Sequence, residues 1–181
     1  MRHGQPQLAS TGKVSALGMK AWIEDYDQSV ITRHPAPDTS RQLAARARVI
    51  VSSSAPRALS SVQALGLEPV LVDGVFCEAQ LPYARWKRPR LSPFTWAAIL
   101  RVLWLYGYSP KVESAAQART RASSAAQRLQ SLASEGPVLL LGHGVMNRLI
   151  ARQLLADGWT RQSRNGSRYW SATVYQHPGG S

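Results

Sequence analysis

Cysteine is almost missing from this chain: Cys77 stands alone among 181 residues. One thiol excludes an internal disulfide and any cysteine-based metal cluster, and fits a reducing compartment. Acidic residues are scarce as well. Ten Asp and Glu face twenty-two Lys and Arg, most of them arginine, for a formal charge of +12. Such an excess favours anionic partners, whether phosphorylated metabolites, nucleic acid or an acidic membrane surface, and is equally compatible with a solvated basic face. Long apolar runs are missing: the longest, 94–106, is broken by Arg101 and is too short to cross a bilayer. Met1 is followed by polar residues rather than the apolar core of a signal peptide. Internal repeats and linker-like low-complexity tracts are absent too. These absences lead to the expectation of a cytoplasmic protein without a membrane span, folded as one domain over 1–181.

What is present is enough apolar residue, 44%, to fill the core of one such domain. The patterning alternates short β-like runs with longer helical ones. Residues 18–28 read as an amphipathic helix and 29–41, with Pro35 and Pro37, as a loop. A buried strand is expected at 49–52, a helix at 56–65 between Pro56 and Gly66, and a second strand at 70–72. Helices follow at 92–107 and 113–134, an apolar strand at 138–141, a helix at 145–156, and a last strand within 169–175. Strands apolar on both faces and interleaved with helices imply an α/β three-layer sandwich, its central sheet mainly parallel with helices on both faces. In such sheets ligands bind beyond the carboxyl ends of the strands.

Three strand ends deliver residues suited to an anion. The 49–52 strand runs into Ser53-Ser54-Ala55-Pro56-Arg57, with Arg57 in the first turn of the next helix. The 70–72 strand is followed by Phe76-Cys77-Glu78. The 138–141 strand enters Gly142-His143-Gly144, again at a helix start, where free N–H groups and the helix dipole favour negative charge. Taken singly, Arg57 reads as a solvated first-turn arginine, Glu78 as a surface carboxylate, and His143 as an even choice between core and site. The N-terminus adds Arg2-His3-Gly4.

Together these segments resemble the histidine phosphatase (phosphoglycerate-mutase-like) superfamily. Its signature is an Arg-His-Gly triplet, then Ser-Ser-x-x-Arg-Ala, an acidic residue, and a late His-Gly pair. Here these are Arg2-His3-Gly4, Ser53-Ser54-Ala55-Pro56-Arg57-Ala58, Glu78 and His143-Gly144, and the match extends from residue 2 to about residue 157. The resemblance implies phosphoryl transfer through a phosphohistidine on His3, without cofactor or metal. Arg2, Arg57, His143 and Gly144 would bind the phosphate, and Glu78 would serve as acid and then base. The family also has a central strand directly before the triplet, where only Met1 stands here. That first strand is therefore expected to be truncated, with Met1 belonging inside a longer one.

The chain is short for a mutase, which favours hydrolysis of a small phosphorylated substrate. Glu78 favours a phosphate monoester over protein phosphohistidine, whose leaving group needs no acid. The runner-up readings are a protein-phosphohistidine phosphatase or mutase of the same fold, and a catalytically inactive anion-binding domain. Segment 79–110 is expected to form a cap-like insertion whose basic cluster 85–90 either holds a second anionic group or faces solvent. The helix bearing Trp96 and Trp104 reads as core or as a contact that would allow a homodimer. No nucleic-acid-binding motif accompanies the charge.

Overall fold

The structure is a computed structural model that describes residues 1–8 and 12–179. Its centre is a parallel sheet of β1 (Val49–Ser52), β2 (Leu71–Val72) and β3 (Val138–Leu141), in the order β2-β1-β3. The alternation of side chains across the pleat divides the core in two. Val49 and Val51 join Met146, Ile150 and the alanines of α5 on one face. Ile50, Leu139 and Leu141 join Ala44 and Val62 on the other. Both faces are covered by helices, which is the sandwich expected.

Between β1 and β2 runs α3 (Pro56–Ala64), opened by Pro56 and closed at Gly66, whose φ of +70° a side chain would strain. Before it come α1 (Met19–Gln28) and α2 (Asp38–Ala44). α4 (Pro93–Leu105) buries Trp96 and Leu100 against Met19, turns Trp104 towards α5, and leaves Phe94, Val102 and Leu105 outside. α5 (Ala115–Ala133) starts with a reciprocal Ser114–Gln117 cap and presents Ala118, Ala122, Ala125 and Ala126 inward. These small residues let α6 (Gly144–Ala156) approach closely.

Several expectations need correction. The reading of 29–41 as loop misses α2, which Pro37 and Asp38 begin and whose buried residues are only Ser40 and Ala44. The last strand is shorter than 169–175 suggested: β5 is Thr173–Gln176, and it pairs antiparallel with β4 (Thr160–Arg164), which the sequence reading left out. β4 is exposed along its whole length, so it carries no apolar signature.

Residues 1–3 lie beside the end of β3. The Met1 amino group donates to the Leu140 carbonyl at 2.6 Å, Gly142 N–H donates to the Met1 carbonyl at 3.0 Å, and His3 N–H donates to the Gly142 carbonyl at 3.0 Å. On the other side, Arg2 N–H donates to the Ser171 carbonyl at 2.8 Å. The chain start thus bridges the two sheets at one end. Behind it opens a cavity of about 1270 Å³ between β3 and β5.

Candidate active site

His3, Arg57 and His143 come together, all at most 2% exposed, although they are far apart in sequence. The His3 and His143 rings lie 5.0 Å apart between centroids. His3 Nδ1 is 2.7 Å from the Gly4 carbonyl. A carbonyl can only accept, so Nδ1 carries the proton and Nε2 keeps its lone pair. Gly4 is in turn fixed from two sides. Its N–H donates to Ser61 Oγ at 2.9 Å, and a Cβ there would stand 2.7 Å from the Trp170 ring, which only glycine avoids. Ser61 Oγ donates to the Arg57 carbonyl at 2.6 Å, tying the His3 turn to the first turn of α3.

His143 precedes α6, with its Nε2 2.7 Å from Ser53 Oγ. The Ser53 hydroxyl also receives Ala55 N–H at 3.4 Å, which leaves its own proton available to Nε2 in one tautomer of the ring. In that tautomer the proton is on His143 Nδ1, a buried atom without a hydrogen-bond partner. Burial pulls the His3 pKa down to about 3, with Arg57 and Arg2 acting in the same direction against the Gly4 hydrogen bond. Burial and then Arg57 hold His143 well below its ordinary value. Both rings are neutral near pH 7.

Arg57 is buried rather than solvated. One terminal nitrogen donates to the carbonyls of Tyr26 and Asp27, at 3.2 and 3.3 Å, and the other meets the Asp27 carboxylate at 3.2 Å. Its guanidinium lies over the Tyr26 ring, 4.7 Å from the centroid. Burial and the neighbouring Tyr169 phenol push the Tyr26 phenol up to about 12, so it stays protonated. Arg2 lies over Tyr169 at 4.6 Å and donates to the Ser167 carbonyl at 3.0 Å. Both arginines keep a buried Nε without a partner.

Glu78 comes from the turn after β2 and reaches the start of α6. Its carboxylate accepts N–H bonds from Ala79, Val145 and Met146, the last at 2.8 Å. A Cβ on Gly144 would lie 3.6 Å from the Arg2 guanidinium carbon and 3.7 Å from Glu78 Oε2. The six residues singled out in the sequence therefore converge at the carboxyl ends of β1 and β3. Tyr26, Asp27, Ser53, Ser61, Arg121 and Tyr169 were not singled out. For Ser53 a signal existed, its place in the Ser-Ser segment; the others lie on helices or loops whose packing the sequence does not reveal. Arg121 reaches from α5 to donate to the carbonyls of Val75, Cys77 and Glu78, at 2.9, 2.8 and 3.3 Å, and pairs with Glu113.

The basic cluster 85–90 is exposed and joined to the segment before α1. Leu17 N–H donates to the Trp86 carbonyl and Arg90 to the Lys13 carbonyl, while the charged side chains face solvent. Among the described residues, no three His, Cys, Asp or Glu side chains gather as a metal site, and no helix is long and apolar enough to cross a membrane.

Loop ends of a parallel sheet carrying two histidines, two arginines and a carboxylate define a class of phosphoryl-transfer fold. The chain belongs to the histidine phosphatase superfamily (branch 1), whose family model matches residues 1–180. Solved structures share the fold. The product of the open reading frame Rv3214 from Mycobacterium tuberculosis is 20% identical, with a TM-score of 0.57 over 96% of this chain and 92% of its own. A phosphoserine phosphatase mutant from Entamoeba histolytica is 20% identical, with a TM-score of 0.52 over 86% and 77%. Bacillus stearothermophilus YhfR is 18% identical, with a TM-score of 0.52 over 86% and 77%. No curated protein matches the chain significantly in sequence.

Proposed function

We propose that the chain hydrolyses a small phosphate monoester through a phosphohistidine on His3. The observation that carries this reading is the set of three buried nitrogens without partners, Arg2 Nε, Arg57 Nε and His143 Nδ1, around the His3 ring. Buried donors are normally satisfied, and an anion among them would take all three hydrogen bonds.

The neutral Nε2 of His3 attacks phosphorus as the ester P–O bond breaks, and the Gly4 carbonyl holds the Nδ1 proton of the resulting imidazolium. Arg2, Arg57, His143 and the Gly144 end of α6 take the charge on the non-bridging oxygens. Glu78, protonated, gives its proton to the leaving oxygen. As a carboxylate it then takes a proton from the water that attacks phosphorus, the P–N bond breaks, and phosphate departs. The residues suffice for this cycle without a metal ion.

One observation favours a second reading. Three amides occupy the Glu78 carboxylate, so in this arrangement it caps α6, which fits a substrate whose leaving group needs no acid, such as phosphohistidine. Turnover of p-nitrophenyl phosphate and of an alkyl phosphate, each with and without EDTA, separates the readings. Hydrolysis of both, unchanged by chelator, is expected. Activity that disappears with EDTA and returns with a divalent ion would overturn the metal-free cycle, and activity on phosphohistidine alone would favour the second reading.

A further inference from the structure

An arginine side chain carries five N–H donors, and α1 determines which of those on Arg57 are left for a ligand. Nη1 donates to the Tyr26 and Asp27 carbonyls at 3.2 and 3.3 Å, and Nη2 donates to Asp27 Oδ1 at 3.2 Å. Asp27 thus reaches both terminal nitrogens, its carbonyl to Nη1 and its carboxylate to Nη2. It stands against the edge that these two nitrogens share. The other edge of the guanidinium, Nε–H beside the second proton of Nη2, faces away from that contact. Nε is buried and has no partner. This free edge is a planar two-donor fork of the kind that matches two oxygens of a phosphate.

Local structure accounts for the clamp. α1 ends at Gln28, and the carbonyls at a helix C-terminus carry the negative end of its dipole, which suits a guanidinium. Ser29 caps the same end, giving its N–H at 3.2 Å and its hydroxyl at 2.6 Å to the Tyr26 carbonyl, so that acceptor is fixed independently of Arg57. The Tyr26 ring covers one face of the guanidinium, 4.7 Å from Cζ to centroid, and opposes its tilting out of plane. The Arg57 side chain is 3% exposed, whereas that of Asp27 is 56% exposed. Asp27 can therefore be replaced without opening the core.

We infer that Asp27 is a positioning residue: with the Tyr26 carbonyl it holds Arg57 so that the Nε edge grips the phosphoryl group through two parallel hydrogen bonds. The role rests on the phosphatase reading of the site. Asp27 touches no substrate and acts only through Arg57. Without its carboxylate the guanidinium turns about its last side-chain bonds and meets phosphate with one donor in place of two.

A double-mutant cycle between Asp27 and Arg57 tests this, read by kcat/KM for p-nitrophenyl phosphate and by affinity for orthovanadate. Asp27→Ala should lower both by about tenfold while Arg57 is present, and by less than about twofold in an Arg57→Ala background. Asp27→Asn keeps an acceptor oxygen for Nη2 and should recover most of the loss. Equal losses in the two backgrounds would overturn the inference, because Asp27 would then act independently of Arg57. An Asn variant as impaired as the Ala variant would overturn the acceptor role.

In protein labelled with 15N-arginine, orthovanadate should shift the Arg57 Nε–H signal and slow its exchange with water, and Asp27→Ala should weaken both responses. A signal that does not move would overturn the grip by the Nε edge. A wild-type chain that turns over no phosphate ester defeats the phosphatase reading, and the vanadate and NMR measurements then still decide the role of Asp27. Wild-type turnover with additive losses defeats the inference alone.

Discussion

At its C-terminal end β3 runs into Gly142 and His143, and there the polar groups are tied across elements that are distant in sequence. At its N-terminal end the same strand starts with Val138, in the apolar cluster of Val49, Leu129 and Leu132. The catalytic end is held by hydrogen bonds that each join two loops: Ser61 between Gly4 and Arg57, Ser53 between β1 and His143, and Glu78 between β2 and α6. The opposite end is held by its backbone ladder with β1, where Arg48 N–H donates to the Pro137 carbonyl at 2.8 Å, and by packing. The difference teaches that ordering of the site depends on specific donors and acceptors, whereas stability of the sheet depends on its ladder and on apolar burial. The two can be perturbed separately.

The largest effect is expected from His3→Ala, which should abolish turnover and the acid-labile, base-stable label left by brief mixing with labelled phosphate ester. His143→Ala should still be labelled at His3, only slowly. Phosphate recovered on residue 143 of the unmutated protein would reverse the two roles. Next comes Glu78→Gln, expected to lower turnover of an alkyl phosphate by roughly 100-fold and to spare p-nitrophenyl phosphate. Equal small losses on both would assign the acid elsewhere.

A pH titration of stability sharpens the comparison further. The His3 pKa of about 3 lies below its unfolded value of 6.5, so between these limits the unfolded chain binds a proton that the folded chain does not. Stability should therefore fall as pH drops through that window, by about 2–3 kcal/mol between pH 6.5 and 4.5 from this ring. Denaturant midpoints across pH 4–9 read this window; a flat profile below pH 6.5 would contradict the buried neutral imidazole. The smallest effect belongs to Ser61→Ala, which strands the Gly4 N–H. It should cost about 1–3 kcal/mol and lower kcat more than it alters KM, and Ser61→Thr should restore both.

The sequence made the parallel strands and most helices legible because β3 is wholly apolar, β1 is apolar up to Ser52, and helix starts are marked, as by the Ser114 cap and by Pro56. It concealed α2 and β4, whose stability comes from tertiary contact or strand pairing rather than from their own patterning. In the site, His3, Arg57, Glu78 and His143 were visible because each follows a strand end or a short motif. Tyr26 and Asp27 were not, since nothing in a helix C-terminus announces that it will clamp an arginine from α3. The Ala/Arg/Gln pattern of α5 likewise concealed Arg121, because inward and outward arginines look alike until the helix is docked.

Arg121 has a kinetic consequence. It takes up the carbonyls of Val75, Cys77 and Glu78 and is itself anchored by Glu113, so the turn that carries the carboxylate cannot shift as a unit without leaving α5. The freedom remaining to Glu78 is rotation about its own side-chain bonds. Exchange between the amides of α6 and a leaving oxygen then needs side-chain rotation and the breaking of those bonds, not the motion of a closing loop.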